Sequence, residues 1–242
     1  MEIPEQYSIT LSREQKLHLV PFFATWLIYF VLYMPVWGYP AETLGSVFFK
    51  ILPILSLCFF VISAANNFKG LPKKDNIIPE DHRARHFLFA LIFSALGDAC
   101  LVWREVLFVP GLLLFAVAQI LYFKGLDGSA VKSRTKELFI LLGLDIYLII
   151  QSGIDSYVLS ALVGMYCALI FAVAWRATAR YESEGSKAAL TGCAGALVFT
   201  ISDCLIAVDK WGFTVPFAPS MIMSSYYIAQ LLLSLSTCKE LN

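Results

Sequence analysis

The sequence has little charge, little histidine and no close pair of cysteines. Asp, Glu, Lys and Arg make up 15% of its 242 residues, where a soluble domain carries about 25%. The 18 cations and 18 anions cancel, so no net field exists to draw in nucleic acid. The histidines are His18, His82 and His86. The last two have i, i+4 spacing, but the string His-Arg-Ala-Arg-His lacks the Glu of HExxH, and its arginines repel a cation. It reads as a basic juxtamembrane loop. Zinc sites lean on His and Cys, so no metal is expected. The cysteines at 58, 100, 167, 193, 204 and 238 are scattered and read as small apolar packers. No GxSxG elbow, P-loop, GxGxxG or HRD string occurs, so no cofactor is expected.

What fills the sequence instead is apolar. Hydrophobic residues make up 59% of it, and its mean hydropathy is +0.72. A soluble fold of this size cannot hide so much apolar surface, and a disordered chain would not carry it. A spanning helix needs about 20 mostly apolar residues. Eight segments qualify: Leu17–Tyr33, Leu44–Ala65, Phe87–Trp103, Leu107–Phe123, Leu138–Ile150, Tyr157–Trp175, Ala188–Val208 and Pro216–Thr237. The sequence therefore predicts an all-α polytopic membrane protein with eight transmembrane helices. It forms one membrane domain over 1–242, with the bundle at 17–237, an N-terminal segment at 1–16 and a polar loop at 67–86.

The cations orient these spans, because Lys and Arg resist translocation. The N-terminus, the even-numbered loops and the C-terminus hold fifteen of them, including Arg13, Lys16, Lys69, Lys73, Lys74, Lys132, Arg134, Arg180 and Lys239. The opposite side holds only Arg104 and Lys210, and Lys50 lies within the second span. Both termini are expected in the cytoplasm. Arg13 and Lys16 resemble the start of a signal peptide, but no small-x-small cleavage site follows, so the first span is expected to be retained. A homodimer is compatible with these features.

Two stretches resemble each other at an offset of four helices. Gly97-Asp98-Ala99-Cys100-Leu101 parallels Ser202-Asp203-Cys204-Leu205, and Phe115 to Leu121 parallels Tyr226 to Leu232, with Gln119 against Gln230. An even offset leaves both halves pointing the same way. The expectation is a pair of parallel four-helix repeats, against chance similarity between apolar strings.

Ionisable residues inside a bilayer cost about 2.5–3.5 kcal/mol each on insertion scales and usually mark function. Lys50, Asp98, Asp145 and Asp203 qualify. Asp98 lies five residues before Trp103, Asp203 five before Val208, and Lys50 six after Leu44. That places the two aspartates roughly 7–8 Å inside the same face of the membrane, with Lys50 at a similar level. Asp145 has no counterpart in the repeat. Ser94 precedes Asp98 by one turn, and Thr200 lies near Asp203. Gly111, Phe115, Gln119 and Tyr122 form one stripe, and Tyr226 and Gln230 share a face. The two in-span amides need partners, and the aspartates are the natural ones. The competing reading is interhelical glue.

Two carboxyls in one apolar pocket do not readily both ionise, so one keeps its proton while the other is charged. That acid-plus-base pair suits acetal-like bonds cleaved through an oxocarbenium. No nucleophile, base and oxyanion-hole set for ester or amide cleavage is visible. A pocket open to the bilayer takes a lipid.

At these residues the chain resembles the YhhN-like transmembrane family. The resemblance rests on Ser94-x3-Asp98 with Gly97, on Phe108-x2-Gly111-x3-Phe115-x6-Tyr122, on Ser202-Asp203-x-Leu205 and on Lys50-x2-Pro53, and runs from about residue 19 to 235. Animal members are lysoplasmalogenases. The resemblance implies hydrolysis of the vinyl ether bond of lysoplasmalogens, to a fatty aldehyde and glycerophospho-ethanolamine or -choline, in the endoplasmic reticulum and without a metal. Many members carry a His where this chain has Gln119, which can hydrogen bond but cannot titrate. Asp98 and Asp203 are the expected catalytic residues. Lys50, Ser94, Gln119, Tyr122, Tyr226 and Gln230 are expected to bind the substrate or orient the carboxyls. The alternative is an ion-coupled or lipid transporter built on the same carboxylates.

Overall fold

The computed structural model describes residues 11–34, 38–68, 78–126, 133 and 135–238. Among them the regular structure is helical, with no strand. The eight helices are α1 (Arg13–Ile28), α2 (Leu44–Ala65), α3 (His82–Cys100), α4 (Phe108–Gly125), α5 (Lys136–Ile150), α6 (Tyr157–Glu184), α7 (Lys187–Trp211) and α8 (Ala218–Leu235). Each coincides with one of the eight apolar segments. The segment 1–10, the centre of the 67–86 loop, and Lys69, Lys73, Lys74, Lys132, Arg134 and Lys239 of the cation tally lie outside the described residues.

The helix ends have local causes. Ser12 and Gln15 form a capping box on α1. Thr43, Asp81, Ser156 and Ser186 cap α2, α3, α6 and α7 with their side-chain oxygens. Gly185 stops α6 in a left-handed conformation, φ +62°. α1 widens into a π-helical turn at Tyr29–Tyr33, a feature frequent near functional sites.

Two boundaries differ from the sequence expectation in a way that matters for the site. α3 ends at Cys100 and gives way to turns, so Asp98 sits two residues from its end. α7 continues to Trp211, so Asp203 sits eight residues from its end. Equal depths counted from the apolar runs thus correspond to unequal distances from the helix ends. The extra turn of α7 carries Asp209 and Lys210 over the site.

Among the described residues five helices are long and apolar enough to cross a membrane: α1 with its π turn, α2, α4, α6 and α7. α3 opens on charged residues, α5 has 15 residues, and α8 carries Tyr226, Tyr227, Gln230 and four serines. α1 and α5 turn Leu17, Val20, Phe23, Leu141, Leu144 and Leu148 outward, all exposed. Such a belt is unfavourable against water and neutral against lipid. The chain is an integral membrane protein.

Consecutive helices pack side by side within α1–α4 and within α5–α8, most extensively α3 on α4 and α7 on α8. The two groups meet through α2 on α8, α3 on α8 and α4 on α6. The helices that meet there carry buried polar residues, among them Lys50, Ser94, Asp98, Gln119 and Gln230.

Candidate active site

A cavity of about 380 Å³ opens between the two helix groups. Lys50, Asp98 and Asp203 all line it, with Tyr29, Tyr166 and Tyr226. Its remaining wall is largely apolar, with Leu112, Phe115, Val163 and Ile170 among the lining residues.

Asp98 is held from three sides and almost fully buried. Lys50 Nζ lies 3.4 Å from its Oδ1 and donates to its backbone carbonyl at 3.2 Å. The Tyr226 hydroxyl donates to its Oδ2 at 2.5 Å. Lys50 is itself positioned, because the Tyr227 hydroxyl donates to its carbonyl oxygen at 2.7 Å. The Tyr29 ring stands edge-on to Tyr227. Gly97 lets α4 approach: a Cβ there would lie 2.7 Å from the Phe115 ring.

Asp203 has different company. Its Oδ2 accepts a hydrogen bond from the Tyr166 hydroxyl. Among the described residues no cation forms an ion pair with it. It is close enough to Asp98 for the two carboxyls to interact electrostatically.

The glutamines do not reach the aspartates. Gln230 Oε1 accepts from the Tyr122 hydroxyl at 2.5 Å, and Gln119 Nε2 donates weakly to the Tyr166 hydroxyl at 3.5 Å. Gln119, Tyr122, Gln230 and Ser94 are fully buried and are not among the lining residues. They form a polar layer behind the cavity, with Ser94 beside the Tyr122 hydroxyl. Thr200 spends its hydroxyl on the Ala196 carbonyl. Asp145 sits on the exposed face of α5, away from the cavity.

The rim is polar and aromatic. Arg104 stacks on Tyr39, its guanidinium carbon 3.1 Å from the ring centroid. The Tyr39 hydroxyl donates to Asp209 Oδ2 at 3.2 Å, and the Val215 N–H donates to Oδ1 at 3.0 Å. Burial raises the Tyr39 pKa above its ordinary value, Arg104 opposes this and Asp209 adds to it. The phenol therefore keeps its proton and stays a donor. Lys210 lies over the Phe108 and Trp211 rings. A second, apolar groove of about 470 Å³ runs between α5 and α6, and it shares Cys167 and Phe171 with the main cavity.

Two carboxyls lining one cavity, one of them paired with a lysine, can hold one proton and one negative charge beside an apolar ligand. The model of the YhhN family matches residues 45–237. The chain belongs to the YhhN family. Lysoplasmalogenase TMEM86A of Bos taurus is 34% identical over 239 residues, which covers 96% of this chain and 93% of that protein. TMEM86A of Homo sapiens matches to the same extent. Lysoplasmalogenase TMEM86B of Homo sapiens is 33% identical over 227 residues, covering 92% of this chain and 87% of its own length. No solved structure matches.

In this YhhN-family chain the residue that sequence reasoning missed is Tyr166. Its signal was present: an in-span hydroxyl must find a partner, and Tyr166 stands midway along the apolar segment Tyr157–Trp175. The rim residues Tyr39, Arg104 and Asp209 carried no such signal, because polar side chains in loops are ordinary.

Proposed function

We propose that this YhhN-family member hydrolyses the vinyl ether bond of lysoplasmalogens, releasing a fatty aldehyde and glycerophospho-ethanolamine or -choline. The observation that carries this reading is the pairing of Asp98 and Asp203 in one apolar cavity with a single lysine beside Asp98. The relatives' names supply the reaction class.

The unequal surroundings assign the roles. Lys50 and the Tyr226 hydroxyl favour charge on Asp98, whereas Asp203 lies without a cation and holds the shared proton. Asp203 protonates the β-carbon of the vinyl ether, leaving an oxocarbenium that the Asp98 carboxylate stabilises. Water adds to the cationic carbon and gives its proton to Asp98. The hemiacetal then collapses: Asp98 returns that proton to the glycerol oxygen as the C–O bond breaks, and Asp203 takes the hemiacetal hydroxyl proton. One water is consumed, and both carboxyls end as they began. Tyr166 and Tyr226 orient the two carboxyls. Gln119, Tyr122, Gln230 and Ser94 brace them from behind. The alkenyl chain extends along the α5–α6 groove.

The membrane arrangement follows the same line. All eight helices span, both termini are cytoplasmic, and the cavity opens towards the lumen of the endoplasmic reticulum. The packing supports a parallel repeat of α1–α4 and α5–α8. Exchanging the groups maps the contact of α2 with α8 onto that of α6 with α4, and maps Lys50 beside Asp98 onto Tyr166 beside Asp203.

The test is turnover of purified protein in proteoliposomes prepared in D2O, with vinyl ether and ester lysolipids in parallel. The aldehyde is expected to carry one deuterium on the carbon next to the carbonyl, with no ester cleavage, and Asp98→Asn and Asp203→Asn each to abolish release. Lipid or ion flux without aldehyde would instead identify a transporter. Folded Asp variants with normal aldehyde release would overturn the mechanism.

A further inference from the structure

The turns after α3 and the last turn of α7 each bring a cation to the cavity, Arg104 and Lys210. Both line the cavity. Cations resist placement on the side opposite the basic loops, so their convergence on one opening is not a scatter of solubilising charge. Two carboxylates line the same rim, Glu105 and Asp209. Among the described residues neither cation forms an ion pair with a carboxylate.

Their settings keep them available. Arg104 is placed over the Tyr39 ring, its guanidinium carbon 3.1 Å from the ring centroid, and a guanidinium carries five N–H donors, more than one phenol can occupy, so donors remain for contact with an oxyanion. Tyr39 is anchored in turn to Asp209, which the Val215 N–H also holds. Asp209 thus keeps acceptor capacity on a fixed carboxylate. Lys210 extends over Phe108 and Trp211 as an exposed point charge.

We propose that this rim is a subsite for a zwitterionic phospho-head group. Arg104, assisted by Lys210, holds the phosphate, and Asp209 with Glu105 faces the ammonium. The inference rests on the lysoplasmalogen reading for the identity of the lipid, and it goes beyond it by assigning head-group recognition to the rim instead of to the buried glutamines and Lys50. Arg104 lies six positions after Asp98 in the same segment, and both line the cavity. In a lysoplasmalogen the vinyl ether is on the first glycerol carbon and the phosphate on the third. The chain then lies in the apolar part of the cavity, the reactive double bond between the aspartates, and the head group at the polar mouth.

The experiment measures binding of two uncleavable lipids to the full-length protein: a 1-O-alkyl lysophosphatidylethanolamine and the matching 1-O-alkylglycerol, which lacks phosphate. The wild type is expected to prefer the phospholipid. Arg104→Gln is expected to reduce that preference about tenfold to a hundredfold, the loss of one charge-assisted bidentate contact. Lys210→Gln should reduce it less, because that charge is exposed. Arg104→Lys, which keeps charge but not the planar fork, should fall between and serves if the Gln variant fails to fold. Equal binding of both lipids by the wild type, or equal weakening of both by Arg104→Gln, would overturn the proposal. Glycerophosphoethanolamine is added as a competitor: competition as strong as the lysolipid's would assign the subsite to a soluble phosphate ester and overturn the lipid assignment. Binding needs no turnover. A phosphate-dependent preference without aldehyde release from alkenyl lipids would uphold the subsite and reject the hydrolase reading.

Discussion

Lys50 Nζ stands 3.4 Å from Asp98 Oδ1 with both side chains buried, whereas Asp203 accepts a hydrogen bond from the hydroxyl of Tyr166. Removing one member of a buried pair leaves an uncompensated charge and costs about 3–5 kcal/mol, while removing both is often nearly neutral. Lys50→Met is therefore expected to lower the thermal stability of the detergent-solubilised protein and to abolish turnover. Lys50→Met combined with Asp98→Asn should recover most of the stability and none of the activity. A double variant no more stable than Lys50→Met alone would show that the pair is not coupled in this way.

The two tyrosines separate the roles of the two carboxyls. Tyr226→Phe removes a donor to Asp98, and Tyr166→Phe removes one to Asp203. A hydrogen bond to a charged group contributes about 1.5–3 kcal/mol, so Tyr226→Phe is expected to reduce kcat by about tenfold to a hundredfold. In the proposed mechanism Tyr166 faces the protonated carboxyl, where a neutral contact contributes about 1 kcal/mol. Tyr166→Phe should cost less than tenfold in kcat. The reverse order in steady-state kinetics would exchange the acid and the carboxylate between Asp98 and Asp203.

Most of the fold was legible because lipid enforces a simple rule, and each of the eight apolar segments became a helix. Lys50, Asp98 and Asp203 were legible for the complementary reason: a charge inside a bilayer is so costly that charges gather. Tyr166 was not, because its ring is apolar and only one atom departs from the pattern. The partners of Gln119 and Gln230 were not legible either. An amide announces that it needs a partner without saying which, and tyrosines on neighbouring helices stood closer than the aspartates. The rim depended on where α3 stops and α7 continues, which hydropathy does not resolve.

Gly97 provides a steric test next to the site. A Cβ at this position would stand 2.7 Å from two atoms of the buried Phe115 ring. That ring lies edge-on to Tyr226, 6.0 Å between centroids, and Tyr226 holds Asp98. Gly97→Ala must displace Phe115, at about 1–3 kcal/mol for an overpacked core. Lower kcat and lower stability are expected together. Adding Phe115→Leu makes room and should restore part of both, measured as turnover and melting temperature. Unchanged kcat in Gly97→Ala would show that Phe115 yields without moving Tyr226.

The α5–α6 groove offers a test of chain selection. Its walls are Phe139, Ile140, Gly143 and Leu144 from α5 and Ala161, Gly164, Ala168 and Ala172 from α6. Small residues on α6 leave the space open, and Cys167 and Phe171 connect it to the main cavity. A chain arriving from the bilayer gains little by transfer, since lipid tails are already an apolar solvent. The groove must therefore select by shape. Ala168→Trp is expected to fill it and to lower kcat/KM for a long alkenyl chain at least tenfold relative to a short one, with the two lysolipids competing in one assay. The ratio isolates the groove, because damage to the aspartates would slow both substrates alike. An unchanged ratio would mean that the chain leaves the cavity directly into the bilayer by another gap between helices.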